Sequence, residues 1–318
     1  MQRDLIDPRP DAGLAAEIVQ RRLGQKPRSV CRFGTGTRHY VFDVALEGGT
    51  RVVVRIGDSC SHNELAGAVH LSRKLRPLGV RLPALLGCDL EAPFPWMLLE
   101  RLPGDDFGAT AARLPDRQLD HIAAEIARAQ ALTAGCQSAG RFGYAIHSED
   151  APYATWSEVL EANLVRSRRR IHAAGLFDAG LADKVQARVD AMRRRLNAIQ
   201  ASPFLHDTTT KNVIVTPEGD FSGIVDVDDL CFGDPRYPAA LTLASMLAYG
   251  GPQRYVAMWL HHARQQDNTI FRLYVALFLL DLMSEHGHLF NGNMRVSTAD
   301  DRYALRRAFD AVTSHISC

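Results

Sequence analysis

An aspartate, Asp207, is followed five residues later by an asparagine, Asn212, and then, across a turn, by a second aspartate, Asp226. Asp207 sits in a polar loop after a short apolar entry. Asn212 stands where the chain enters the strand-like run Val213 to Val215, and Asp226 closes a second apolar run, Ser222 to Val225. Between the runs lie Thr216, Pro217, Glu218, Gly219 and Asp220, which supply turn chemistry, so the segment is predicted to be a β-hairpin. A hairpin brings its open ends together. Asn212 and Asp226 would then be two oxygen ligands for one hard cation on a phosphate-bearing ligand, with Asp207 nearby to receive a proton from a hydroxyl. Asp and Asn are also ordinary turn residues, because their short side chains hydrogen-bond the local backbone. The spacing, the two apolar runs and the trailing Gly233-Asp234-Pro235 together favour the chemical reading over coincidence.

The elements that would position a phosphate opposite these groups occur upstream, in order. Phe33 to Val44 places Gly34, Thr35, Gly36 and Thr37 in a tight turn before an alternating strand, and backbone amides without side-chain bulk can approach phosphates closely. Arg51 to Gly57 reads as a buried strand with Arg55 as its cation. From Ser61 to Leu75, apolar residues recur at helical spacing. Glu64 on that helix has two readings: a capping-box partner of Ser61, or the carboxylate that holds Arg55. Two further strands follow, a short one in Pro83 to Asp89 and an apolar one in Pro95 to Phe107 that ends in charge and glycine.

This order resembles the aminoglycoside phosphotransferase family, within the protein-kinase-like small-molecule kinases, across most of the chain. The match rests on Asp207, Asn212 and Asp226, on the Gly-Asp-Pro triplet, and on the glycine turn, strand cation and helix carboxylate upstream. Leu205 stands where the family usually has a histidine, with His206 shifted next to Asp207. Arg55 replaces the commoner lysine; it keeps the charge and presents a planar fork. The resemblance implies an α+β, bilobal, protein-kinase-like fold. Residues 1–102 would form a small N-terminal antiparallel β lobe with one helix that clamps the nucleotide. Residues 103–318 would form the larger, mostly helical catalytic and acceptor-binding lobe, with a helical acceptor wall at about 153–199.

The resemblance further implies ATP or GTP as phosphate donor, Mg2+ held by Asn212 and Asp226, and Asp207 as base or orienter. Arg55, Glu64 and the 34–37 turn would address the phosphates, and Glu100, Arg101 and Leu102 would line the base pocket. The acceptor would be a small hydroxylated molecule, with an aminoglycoside or another antibiotic as the leading expectation. A metabolic acceptor such as choline, homoserine or a fructosamine, and a nucleotide-binding pseudokinase, stay open. Candidate acceptor groups are Trp156, Glu158, Glu161, Asn163 and Asp228, with Asp281 and Glu285 four residues apart on one helical face, which would be an anionic wall for a cationic acceptor such as an aminoglycoside if it looks into the cleft.

Composition bounds the remaining possibilities. The 318 residues are 46% hydrophobic and 23% charged, as expected of a globular protein in water. A formal net charge of +1 gives no electrostatic case for nucleic acid or for an anionic membrane surface. The longest apolar run is too short to span a bilayer, and the charged, proline-broken N-terminus is unlike a secretory signal, so cytoplasm is the expected compartment. The six cysteines are scattered without paired spacing, which argues against a zinc site or a disulfide framework. C-terminal helices are predicted over 237–249, 252–264, 269–290 and 298–315.

Overall fold

The structure, a computed structural model, describes residues 9–34, 39–58, 61–290, 293–294 and 297–314. These group into two compact units.

The first unit takes the described residues within Met1–Arg73, Pro83–Leu102 and Leu289–Asn293. It opens with α1 (Ala12–Leu23), whose start is capped by the Asp11 carboxylate accepting from Leu14 N–H at 2.9 Å, and whose end is closed by Gly24 in the left-handed region at φ 66°. Five antiparallel strands follow: β1 (Pro27–Arg32), β2 (Tyr40–Leu46), β3 (Arg51–Ile56), β4 (Leu85–Asp89) and β5 (Trp96–Glu100), in the spatial order β1-β2-β3-β5-β4. The β-branched and aromatic content of β2 and β3 suits a half-buried pleated surface. Phe42, Val44, Val52, Val54, Ile56 and Leu98 pack against Ala15, Ile18 and Val19 of α1. A second cluster joins Met97 to Leu65, Ala68 and Val69 of α2 (His62–Leu75), the helix inserted after the third strand. The Ser61 hydroxyl, which the sequence suggested as a helix cap, donates to Asp58 at 2.7 Å.

The second unit takes the described residues within Lys74–Leu82, Pro103–His288 and Met294–Cys318. Its strands are short: β6 (Asp105–Asp106), β7 (Gly143–Ala145), β8 (Ser202–Phe204), β9 (Val213–Val215), β10 (Phe221–Ile224) and β11 (Leu230–Gly233). They form two three-stranded sheets, β10-β9-β6 and β7-β11-β8. The rest is helical: α3 (Phe107–Thr110), α4 (Asp116–Ala134), α5 (Trp156–Ala174), α6 (Leu181–Leu196), α7 (Tyr237–Tyr249), α8 (Arg254–His262), α9 (Thr269–Glu285) and α10 (Ala299–Ser314). A last pair of two-residue strands, β12 (Leu289–Phe290) and β13 (Asn293–Met294), precedes α10.

α9 is apolar on nearly every face and buried from Ile270 to Leu280 except at Arg272, which makes it the central helix of this unit. It was expected to reach Phe290 but stops at Glu285. His286 is extended and Gly287 takes φ 82°, a left-handed conformation that turns the chain out of the helix. Thr298 and Asp301 form the expected reciprocal cap of α10, with Asp301 N–H donating to the Thr298 hydroxyl at 3.1 Å.

The Gly-Asp-Pro triplet is a packing junction. Trp156 lies so close over Gly233 that a Cβ there would stand 2.1 Å from the indole ring. Asp234, 2% exposed, accepts from Arg236 Nε at 2.9 Å and from the Tyr274 hydroxyl at 2.8 Å, and that hydroxyl accepts from Trp156 Nε1 at 2.8 Å. One carboxylate thereby ties β11 and α7 to α9 and α5. Gly233→Ala is expected to destabilise the protein by roughly 1–3 kcal/mol, the usual range for overpacking a filled core, as a lowered urea midpoint at unchanged m-value.

Candidate active site

In the second unit, the hairpin forms as the sequence suggested. Phe221 pairs with Val215 and Ile224 with Val213, with a bulge between Phe221 and Gly223. The pairing continues at the open end, where Val225 N–H donates to the Asn212 carbonyl at 2.9 Å. Asn212 and Asp226 therefore flank one backbone hydrogen bond. Asn212 is buried and its Nδ2 donates to the Asp207 carbonyl at 3.0 Å, which fixes the amide and leaves Oδ1 without a hydrogen bond among the described residues. Asp226 is exposed and stands at φ 64°, a conformation that non-glycine residues adopt at a cost and that often marks functional positions.

The loop ahead of the hairpin is held from below by one buried amide. Gln130 of α4 donates to the Leu205 carbonyl at 2.8 Å and accepts from Leu205 N–H at 3.0 Å, and it also reaches the Thr208 hydroxyl at 3.2 Å. This clamp sets the height of Asp207. The Asp207 carboxylate accepts from the Thr209 hydroxyl at 2.6 Å and pairs with Lys211 Nζ at 3.1 Å. Burial alone would raise its pKa; the Lys211 ammonium, the Thr209 hydroxyl and His206 outweigh that and hold it below the usual carboxylate range. Asp207 is thus ionised and aimed. Lys211 is a residue that the sequence reasoning passed over, although a lysine four positions after Asp207 was a readable signal.

His206 packs edge-on against Tyr144, with ring centroids 4.8 Å apart, and stacks on Tyr237 at 5.8 Å. Its Nε2 lies 3.5 Å from the Tyr144 hydroxyl, and its buried Nδ1 has no hydrogen-bond partner among the described residues. Burial lowers its pKa to about 4, so the ring is neutral around pH 7 and serves as an apolar brace. Burial around the Glu285 carboxyl, with Asp281 as acidic neighbour, raises its pKa to about 6 against the pull of Lys211. Glu285 therefore belongs to the electrostatic surroundings of Asp207. Asp281 accepts from Arg166 Nη2 at 2.9 Å and from the Ser167 hydroxyl at 3.1 Å, so its charge is already matched.

The remaining acceptor candidates divide. Glu161 pairs with Arg193 of α6, and Glu158 completes the capping box of α5 with Thr155. Trp156 is fully buried at the packing junction. Asn163 is buried and donates to the Tyr237 hydroxyl at 2.8 Å, beneath His206. Asp228 is half-buried in the segment between β10 and β11.

In the first unit, Arg55 is 6% exposed on β3, and its Nη2 lies 2.7 Å from His39 Nδ1. The opposite nitrogen of that ring, Nε2, lies 3.3 Å from Glu64. His39 thus links the strand cation to the helix carboxylate, a bridging residue that the sequence reading missed. Its signal was its place immediately before β2, the strand paired with β3. Gly34 ends one described stretch, and Thr35, Gly36 and Thr37 lie outside the described residues. At the end of β5, Glu100 exchanges bonds with Ala84 through its backbone N–H, at 2.9 Å, and its carboxylate, at 3.0 Å. The Leu102 carbonyl accepts from Arg101 Nη1 at 2.6 Å, and the Arg101 guanidinium also approaches Asp43.

The donor set fits magnesium better than a metal caged by protein. Among the described residues there is no group of three or more His, Cys, Asp or Glu side chains that could hold a metal ion. One carboxylate and one amide oxygen, both hard ligands, suit a cation that keeps waters and completes its shell with phosphate oxygens.

A five-stranded antiparallel sheet with one inserted helix, followed by a helical unit built around a short hairpin, is the kinase-like α+β fold. The chain belongs to the phosphotransferase enzyme family, whose model matches residues 29–274. That match takes in the sequence candidates from Gly34 to Asp228, and Asp281 and Glu285 lie beyond it. A thermostable mutant of the aminoglycoside phosphotransferase APH(4)-Ia superposes with a TM-score of 0.69 at 17% identity, covering 94% of this chain and 98% of that one. A putative fructosamine-3-kinase from Thermobifida fusca gives 0.60 at 19% identity, over 92% and 98% of the two chains. The GDP and kanamycin complex of another aminoglycoside phosphotransferase, APH(2")-IIIa, gives 0.65 at 16% identity, over 94% and 97%. No curated protein matches the chain by sequence. Among the described residues no helix is long and apolar enough to cross a membrane.

The depressed pKa of His206 makes a stability prediction. Below about pH 6.5 an unfolded chain protonates this ring while the folded one does not until about pH 4, so stability falls as pH drops through that window. Integrated over the window, the loss is roughly 3 kcal/mol. Denaturant titrations at pH 7 and pH 4.5 are expected to show a larger drop for the natural chain than for His206→Gln. Equal drops would remove His206 from the account.

Proposed function

We propose that this chain transfers the terminal phosphoryl group of ATP or GTP to a hydroxyl of a small molecule. The observation that carries the reading is the ionised Asp207, oriented by Thr209 and Lys211, on the same loop as an Asn212 oxygen left open beside Asp226. Residues 1–102 would clamp the nucleotide, with Arg55 on its phosphates, and residues 103–318 would carry the chemistry and the acceptor. Asn212 and Asp226 would hold Mg2+, which neutralises phosphate charge when bound.

In such a transfer the acceptor oxygen forms a bond to the terminal phosphorus as the bond to the bridging oxygen breaks, and a nucleoside diphosphate leaves. The hydroxyl proton passes to the Asp207 carboxylate. An aspartate held below its usual pKa is a weak base, so its work is to align the hydroxyl and take the proton late, when the oxygen has grown acidic. Lys211, beside Asp207, adds positive charge where negative charge spreads over the transferred group.

Among acceptors, aminoglycosides and other hydroxylated antibiotics come first to the test, since the neighbours that carry ADP with hygromycin B and GDP with kanamycin are aminoglycoside phosphotransferases. A metabolic acceptor is the second reading, and the Arg166–Asp281 pair favours it, because that pair removes half of the anionic face expected on α9.

Release of nucleoside diphosphate with magnesium, across a panel of hydroxylated antibiotics and metabolites, tests the reading. Asp207→Ala is expected to lower turnover by roughly 10²–10⁴, the range for positioned acid-base groups, at a nearly unchanged unfolding midpoint. Near-natural turnover in that variant would sink the assignment. Asp226→Asn, which tolerates the left-handed backbone, is expected to lose magnesium-dependent nucleotide binding in calorimetry, and retained binding would refute its role.

A further inference from the structure

A cleft of about 530 Å³ opens in the second unit beside the candidate catalytic loop, within the size range of small-molecule sites. Its walls include Tyr144, Tyr153, Asn163, Arg166 and Arg169. Two contacts join it to the loop. Tyr144 touches His206, the residue before Asp207, and Asn163 holds the Tyr237 hydroxyl under the same ring. A molecule in the cleft would therefore lie next to the residue that presents Asp207.

The chemistry of the walls is one-sided. Among the described residues no carboxylate lines the cleft. Arg166 and Arg169 stand three residues apart on one face of α5. Arg166 donates to Asn163 Oδ1 at 2.8 Å and to Asp281 Oδ1 at 2.9 Å, so its charge is already matched. Arg169 is exposed and makes no hydrogen bond or ion pair among the described residues. The cleft thus holds one unmatched positive charge, on Arg169, and two tyrosine rings. A polycation would meet a like charge there, whereas a carboxylate or phosphate would meet a guanidinium, the side chain best shaped to receive a planar or tetrahedral oxyanion.

We infer that this cleft is the acceptor subsite, and that the acceptor carries a carboxylate or phosphate group on a compact hydroxylated body that packs against Tyr144 and Tyr153. The inference rests on the phosphotransferase reading and narrows it away from polycationic antibiotics.

The test runs two arms with the full chain, magnesium and ATP or GTP. One arm offers D-gluconate, shikimate and D-ribose 5-phosphate; the other offers kanamycin and hygromycin B. Turnover is expected in the first arm only. Arg169→Glu should raise KM for the reactive oxyanion at least tenfold with a smaller change in kcat, and Arg169→Lys should restore most of the loss. Turnover confined to the aminoglycosides would overturn the inference while leaving the phosphotransferase standing. So would oxyanion turnover indifferent to Arg169→Glu. Silence in both arms also counts against it, and magnesium-dependent nucleotide binding that is lost in Asp226→Asn then shows separately whether the phosphotransferase reading survives.

Discussion

The second unit hangs on one buried anion. A carboxylate as deeply enclosed as Asp234 is tolerable only when paired and fully hydrogen-bonded, and here a guanidinium and a phenol meet it at once. Because Arg236 starts α7, Tyr274 lies on the central helix and Trp156 opens α5, the geometry of a single side chain is felt in three helices. It is felt in the sheet as well. Asp234 directly follows β11, which is the middle strand between β7 and β8, and β8 leads straight into His206 and Asp207. The Gly-Asp-Pro triplet acts on the candidate site from outside it, by fixing the strand from which the Asp207 loop departs.

The loop itself is held by complementary means. Gln130 offers an amide to both backbone groups of Leu205, much as a neighbouring strand would, so an irregular segment gains the satisfaction of a sheet without its regularity. From that fixed base, Thr209 and Lys211 address Asp207 from its own loop. Rigid support below and local charge above leave the carboxylate oriented and ionised, which is what the proposed alignment of an acceptor hydroxyl requires.

Much of this was legible because the signals are local. The hairpin announces itself through Pro217, Glu218, Gly219 and Asp220 between two apolar runs, and α10 through Thr298 and Asp301. The five strands and the inserted helix α2 of the first unit follow from alternation and from helical spacing. What stayed hidden depends on distant partners. β7, β8 and β11 are three or four residues long and become strands only by pairing with segments far away in the chain. His39 between Arg55 and Glu64, and Arg166 on Asp281, are pairings that no spacing rule anticipates. The expected anionic wall on α9 misread its partner for this reason. A carboxylate four residues from another looks free until the helix that covers it is known.

Asp226 carries a final implication. A backbone at φ 64° strongly favours glycine, asparagine and aspartate, the residues that enter the left-handed region most readily. Of these three only aspartate is charged. The hairpin has therefore shortlisted the occupants of this position on conformational grounds, before any demand from chemistry is felt. A descendant of this chain released from selection for phosphoryl transfer has a downhill route at this point: drift from Asp to Asn or Gly would erase the charge while the turn survives. With the proposed role of Asp226, fold and activity can part company here by one substitution, and a silent copy would keep the outward form of a working enzyme.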